Sequence, residues 1–431
     1  MVSLRIGSVR LDIKSARKIW FARDEFLRQS TIMFLASIIS SACNYIYQIY
    51  VGRSLGPEGY GSFGSLFAIF YLVYVFSGTF QAGSAQFTSR FKASGETENV
   101  GPFINGLIKR MAILGIVGFF VFVLFSAKIA GFLKIDSIND VIVLGTAILF
   151  SFLLPPTTGA IQGLQDFSSL ALVSLLTFMP KLIFGVILVS LGYGISGALG
   201  AVTLGLATAF LFTLNELKPY LKNEQKKGLV NFRDLYFYSI PTILVMICLA
   251  VPSNVDVILA KHFFTGHEAG LYTAVSVLGK IVLFLPSAIY VVMFPKVSEM
   301  RALGQSPIAL LNKSLIITGV LAGAATTIFI LVPQLVERIF GAGYFEASQI
   351  VKFYAAMMFF FSLTWVVAQY CIATNRLKYV YIIFFFTSME IALMSLVHGS
   401  VLQMVTMLLV VNVVFFFTSY VYAIHQGGEV A

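Results

Sequence analysis

Charge is what this sequence has least of. Asp, Glu, Lys and Arg make up 11% of 431 residues, against 58% hydrophobic residues and a mean hydropathy of +0.90; a soluble domain carries about twice that charge, roughly 25%. Cysteine is also scarce. Cys43, Cys248 and Cys371 all fall in apolar stretches without pairing or metal-ligand spacing, so they read as packing residues. Of four histidines, His262 and His267 share one loop, His398 lies near the end of an apolar stretch and His425 near the C-terminus, a scatter that announces no metal site. No Walker loop is present, so ATP hydrolysis is not expected, and no cofactor is implied. The longest segments outside the apolar stretches are residues 1–29 and 217–238. Neither houses a soluble catalytic domain, and no paired acidic motif or large loop suits a membrane glycosyltransferase or polymerase. The sequence does not read as an enzyme.

What is present is a series of apolar stretches near 30–51, 62–88, 106–127, 141–163, 167–190, 195–215, 239–261, 270–294, 311–335, 350–373, 379–398 and 401–424. About 20 apolar residues cross the hydrocarbon as a helix, which satisfies every backbone amide internally. The pattern predicts an all-α polytopic membrane protein with about twelve transmembrane helices. The first stretch is too long, and its N-terminal flank too extended, for a cleavable signal peptide.

The twelve divide into two sets of six. Asn44 lies twelve residues before Gly56-Pro57-Glu58, and the spacing returns 210 positions later at Asn254 and Gly266-His267-Glu268. Gly131 and Gly341 keep that offset, as do the links Gln165-Asp166 and Asn375-Arg376. A six-helix unit used twice is a common plan for moving a solute across a bilayer, and an even number of spans makes the repeats parallel, forming two lobes. The expected division is 1–29 as a basic interfacial segment, 30–216 and 239–424 as the lobes, 217–238 as a basic linker and 425–431 as a tail.

Lys and Arg set the orientation. With a cytoplasmic N-terminus, the inner segments hold 21 of them and the outer loops six: Arg53, Lys128, Lys134, Lys261, Arg338 and Lys352. The positive-inside rule places both termini in the cytoplasm, at the cell (cytoplasmic) membrane. The net charge of +10 sits on those inner segments, so anionic membrane lipids are the expected partner, not nucleic acid. Ala16, Ile19, Trp20, Phe26 and Leu27 share a helical face beside Arg17, Lys18 and Arg28, as an interfacial helix would; a solvated basic tail is the alternative.

Charges inside the spans are expensive and therefore informative. Lys181 and Lys280, with Arg53 at the end of the first span, are candidate contacts for an anionic headgroup. Asp256 and Glu390 are candidates for ion coupling; alternatively Asp256 simply pairs with Lys280, and Glu390 pairs with a lysine or takes up a proton. Asn44, Tyr45, Tyr47, Gln48 and Asn254 offer sugar contacts or interhelical hydrogen bonds. Pro155-Pro156, Pro180, Pro241, Pro252 and Pro286 interrupt spans, as static kinks or as bending points. The triplets Phe359–Phe361, Phe384–Phe386 and Phe415–Phe417 read as packing or lipid-facing surface, with a groove for an isoprenoid tail as the alternative.

The stretch Arg53-Ser54-Leu55-Gly56-Pro57-Glu58-Gly59-Tyr60-Gly61 resembles the loop after the first helix in polysaccharide (O-antigen type) flippases of the multidrug/oligosaccharidyl-lipid/polysaccharide exporter (MOP) superfamily. Asp256-Val257-Ile258-Leu259-Ala260-Lys261 with Gly266-His267-Glu268-Ala269-Gly270-Leu271-Tyr272, and Phe340-Gly341, are similar to later parts of the same family. The resemblance implies two six-helix lobes around a cavity that takes a polyprenyl-(pyro)phosphate-linked oligosaccharide from the cytoplasmic leaflet and releases it outward. It also implies work alongside a polysaccharide polymerase or glycosyltransferases. A cation-coupled multidrug antiporter of the same superfamily is the alternative, which predicts acidic cavity residues and a cationic substrate.

Overall fold

The computed structural model describes residues 5–6, 9–10, 13–221, 243, 246–248, 250–376 and 378–425. A two-residue antiparallel pair, β1 (Arg5–Ile6) and β2 (Val9–Arg10), precedes an otherwise helical chain. The first half holds α1 (Ile13–Ala93), α2 (Val100–Phe132), α3 (Ile138–Gly163), α4 (Phe167–Leu188) and α5 (Gly194–Leu221). The second holds α6 (Val255–Phe263), α7 (Gly266–Phe284), α8 (Ser287–Ala302), α9 (Ile308–Leu331), α10 (Leu335–Phe340), α11 (Ala347–Ala373), α12 (Tyr379–Leu396) and α13 (Val401–His425).

Among the described residues, eight helices are long and apolar enough to cross a bilayer, or nine counting the pair α7–α8, which bends by 40°. Two of these runs, Thr31–Ala93 and Phe167–Leu221, are 63 and 55 residues long, and each turns back on itself. Gly56 makes the first turn with φ +66°, a left-handed conformation that favours glycine. The Tyr60 hydroxyl then reaches Gln48 Oε1 at 3.2 Å, and Tyr47 packs on Phe63. Gly192 (φ +89°) and Gly194 (φ +54°) make the second turn. The loop expected at 52–61 is therefore almost entirely helix, reversed at one glycine.

The repeat is visible in the backbone. Gln165 (φ +60°) and Asn375 (φ +56°) occupy the same left-handed position, and the same bonds close both helix ends: Asp166 N donates to Ile161 O, and Arg376 N to Cys371 O. Gly131 and Gly341 differ. Gly131 lies within α2, whereas Gly341 has φ +106° and separates α10 from the single helical turn Ala342–Tyr344. Proline behaves in two ways. Pro155, Pro156 and Pro180 are absorbed in continuous α3 and α4, while Pro252 and Pro286 lie at breaks before α6 and between α7 and α8. Pro241, the linker 217–238 beyond Leu221 and the tail beyond His425 lie outside the described residues, as do the side chains of 13–27.

Each phenylalanine triplet splits. Phe361, Phe386 and Phe415 are buried, with Phe386 and Phe415 stacked at 4.7 Å, while Phe384, Phe385 and Phe417 are exposed on the outside of the helices. Where the halves meet, contact is close because one side or the other carries glycine. A Cβ on Gly270 would overlap the Pro57 carbonyl oxygen, and one on Gly61 would lie 2.8 Å from the Gly266 oxygen. The two recurring Gly-Pro-Glu and Gly-His-Glu segments face each other across this seam.

Candidate functional site

The helix breaks at Pro252, and Ser253 and Asn254 are buried there. Residues 251–254 leave the helix, and Asn254 occupies the N-cap position of α6 without capping it through its side chain. Its amide nitrogen donates to Ala250 O (2.8 Å), so its Oδ1 is free to accept from Lys280 Nζ of α7 at 3.2 Å. The equivalent asparagine of the first half, Asn44, accepts from Lys181 Nζ of α4 at 2.7 Å. Both asparagines thus hold a lysine, although the two lysines come from helices that are not equivalent in the repeat.

A cavity of about 130 Å³ lies between the halves. Asn44, Tyr45, Gln48, Phe67 and Tyr71 line it from the first half, and Ser253, Asn254, Lys280 and Phe284 from the second. Polar groups and aromatic rings share the wall. Lys280 is the charged group on it, and no carboxylate lines it among the described residues. Lys181 stands one layer behind. It is 4% exposed and is enclosed by the rings of Tyr47 (4.3 Å), Phe67 (4.8 Å) and Phe178 (5.7 Å), so it meets the cavity through Asn44. Tyr47 is fixed by its own bond to Ala198 O and does not line the cavity.

Arg53 is not brought to this site. Its Nε donates to Ile339 O (2.6 Å) and its terminal nitrogen to Arg338 O (2.7 Å), at the seam. Two of its donors go to backbone carbonyls at the seam, and it does not line the cavity, so its placement gives no support to the phosphate role expected for it. Nor do Asp256 and Lys280 form an ion pair. Asp256 Oδ2 accepts from Tyr272 (2.8 Å) and Tyr354 (2.9 Å), and Tyr354 lies 3.0 Å from Ser276 Oγ.

Asp256 instead faces Glu390 across a second, narrow cavity of about 10 Å³, lined also by Thr387 and Leu408. Asn412 donates to Glu390 Oε1 at 2.8 Å. Asp256 Oδ1, Thr387 Oγ1 and Asn412 Oδ1 are buried without a partner. An unpartnered carboxylate oxygen, a hydroxyl and an amide oxygen are thus gathered with the Glu390 carboxyl around one small cavity. Tyr272, Tyr354, Thr387 and Asn412 are not conspicuous in the sequence. An aromatic or amide inside an apolar run signals nothing alone, and only their convergence on Asp256 and Glu390 gives them meaning.

With this geometry in place, the comparisons are coherent. The family model for polysaccharide biosynthesis protein matches residues 26–301. An uncharacterized membrane protein of Methanocaldococcus jannaschii is 23% identical over 290 residues, covering 64% of this chain and 68% of its own. Among solved structures, an inward-facing multidrug resistance MATE family transporter of the MOP superfamily is similar with a TM-score of 0.80, at 12% identity over 91% of this chain and 95% of its own. An outward-facing structure of a MATE family transporter gives 0.64, at 14% identity over 94% and 95%. A MOP superfamily transporter from Pyrococcus furiosus, described as having a binding pocket of reverse polarity, also gives 0.64, at 16% identity over 94% and 95%. The family match and the helices agree: the chain belongs to the polysaccharide biosynthesis protein family, is a multi-pass membrane protein and shares the fold of these transporters.

Proposed function

We propose that this protein is a flippase that moves a polyprenyl-(pyro)phosphate-linked oligosaccharide across the cell membrane by alternating access. The observation that carries this reading is the charge of the cavity: its wall presents Lys280 with Asn44, Gln48 and Asn254 beside Phe67, Tyr71 and Phe284, and no carboxylate among the described residues. A cationic drug would meet an ammonium group in a low-dielectric wall, whereas an anionic headgroup gains from it. Lys280 contacts the phosphate directly, and Lys181 supports it through Asn44. Asn44, Tyr45, Gln48 and Asn254 contact sugar hydroxyls, and the aromatic wall meets the start of the isoprenoid chain.

The closed seam sets the state. On the side expected to face outward, Arg53, Tyr344 and the glycine contacts join the halves, the Tyr344 hydroxyl donating to Gly52 O at 2.7 Å. The higher similarity to an inward-facing relative than to an outward-facing one agrees with a cavity loaded from the cytoplasmic side. Both termini are then cytoplasmic, the orientation that the distribution of Lys and Arg favours. Residues 30–216 and 239–424 rock as lobes about the linker 217–238. A polymerase or glycosyltransferase on the outer face consumes the product, and anionic lipids hold the basic inner surface.

Asp256 and Glu390 couple the motion to an ion: a proton or cation bound between them bridges α6 and α12. If an imposed proton or sodium gradient drives Asp256→Asn as fast as wild type, that role is wrong.

The test is protein-dependent transbilayer movement in proteoliposomes, with a labelled polyprenyl-diphosphate oligosaccharide, the same lipid lacking phosphate, and a cationic dye. Movement of the first alone is expected. Efflux of the dye, with no movement of the diphosphate by a well-folded protein, assigns the chain to the cation-coupled drug antiporters instead.

A further inference from the structure

The outer end of the interface is fastened twice by the same chemistry. Arg53, at the end of the first crossing, donates to the carbonyls of Arg338 and Ile339 in the last turn of α10. His262, near the end of α6, places Nδ1 2.7 Å from the carbonyl of Phe132, the last residue of α2. A carbonyl only accepts, so Nδ1 carries the proton. The imidazole also lies flat on the Phe132 ring, with centroids 4.1 Å apart and planes 10° apart.

The repeat relates these two fastenings. Shifted by 210, Arg53 falls beside His262, and Arg338 and Ile339 fall in the turns that end α2 at Phe132. Each half therefore sends a basic side chain from the end of its first crossing onto the helix end beyond the other half's third. One of the two is always charged, whereas a histidine changes charge near neutrality.

We propose that Arg53 and His262 form a duplicated latch across the outer seam, and that His262 makes one copy responsive to pH on that face, acidification holding the halves closed there. A helix C-terminus carries partial negative charge from its unsatisfied carbonyls, and a charged donor bonds to them more strongly than a neutral one. A charged imidazole at this place therefore holds the Phe132 carbonyl more firmly than a neutral one.

The neighbouring charges are mixed. Glu58 from α1, Lys134 and Asp136 from the segment after α2, and Lys261 beside His262 on α6 lie close enough to interact at Lys261. His398, after α12, stacks on Phe263 at 4.3 Å, and Phe263 in turn meets His262 edge-on at 4.7 Å. Two carboxylates face two lysines at this corner. His267 lies apart, 3.8 Å from Glu346 with both side chains exposed.

The inference rests on the halves parting at this end during transport, and not on the identity of the substrate. It is tested with the full-length chain in lipid nanodiscs, native cysteines replaced and spin labels at the exposed Ser137 and Lys352, by measuring inter-half distances at about pH 5.5 and about pH 8, either side of the histidine range. The closed-to-open ratio of wild type is expected to rise about two- to tenfold at the acid pH. His262→Gln should lose that response, His262→Arg should stay closed at both, and His267→Gln should respond like wild type. A wild-type response retained in His262→Gln overturns the latch. A wild type indifferent to pH while Arg53→Ala opens the seam overturns the pH response assigned to His262 and leaves the moving halves intact. A single distance in every variant, Arg53→Ala included, overturns the latch together with the parting of the halves.

Discussion

The two halves place the same asparagine at the same point and then use it differently. Asn44 receives Lys181 in a sealed aromatic cage, at 2.7 Å and with the lysine 4% exposed. Asn254 receives Lys280 at 3.2 Å on the wall of the shared cavity, beside the Asp256 cluster in the chain. The first half has thus turned its buried cation into structure, and the second has kept its own accessible and close to an ionisable pair. Duplication conserves where the backbone goes; it leaves each copy free to use the position for packing or for chemistry.

Separating Lys280→Ala from Lys181→Ala tests this division most sharply. Lys280→Ala should leave thermal unfolding nearly unchanged and reduce transport of the diphosphate lipid by about 30-fold or more, the scale of about 2 kcal/mol for a lost desolvated charge contact. Lys181→Ala opens a hole among Tyr47, Phe67 and Phe178 and leaves Asn44 Oδ1 bare. Its cost should appear first as stability, about 2–4 kcal/mol, read as a fall in unfolding temperature. Equal loss of transport in the two variants, with Lys181→Ala as stable as wild type, would erase the distinction between cage and wall.

Much of this arrangement is legible in the sequence. The 210-residue offset locates Asn44 and Asn254, and with them the middle of the interface, because a repeated backbone break repeats its side chains. Membrane burial makes each intramembrane charge conspicuous, so Lys181, Lys280, Asp256 and Glu390 stand out from the sequence alone. The offset cannot reveal which lysine reaches which asparagine, since Lys181 and Lys280 do not correspond. Nor can a sequence show that Arg53 commits its donors to carbonyls 285 and 286 positions away, because backbone acceptors carry no residue identity. Tyr272 and Tyr354 are hidden for a related reason: among 19 tyrosines, only the approach of α7 to α11 selects those two.

The seam offers a second contrast. At one position of the repeat, the first half carries Tyr60, buried between Phe63 and Phe340, and the second carries Gly270 against the Pro57 carbonyl. Large and small residues at equivalent positions let the segments close on each other. Gly270→Ala puts a methyl group where the Pro57 oxygen already stands, so the seam must separate, at about 1–3 kcal/mol for overpacking. A shift toward longer inter-half distances in the label pair at Ser137 and Lys352 is the expected result. An unchanged distance distribution would mean that the glycine contact does not limit closure.

The smallest effects come from Gly56 and Gly266, which match in the repeat but serve different ends. Gly56 has open space where a side chain would go and a left-handed backbone, so Gly56→Ala is strained in conformation, by about 1–2 kcal/mol. Gly266 sits in the first turn of α7 within the Thr265–Glu268 capping box, with helical geometry, and a Cβ there would meet the Glu58 side chain first, its Cγ at 2.8 Å. That side chain is exposed and can swing away, so Gly266→Ala should fall within about 0.5 kcal/mol of wild type. Thermal unfolding of the two variants side by side decides the point. If both lose stability equally, closeness of approach rather than backbone conformation governs this position, and the two halves are more alike here than their dihedral angles imply.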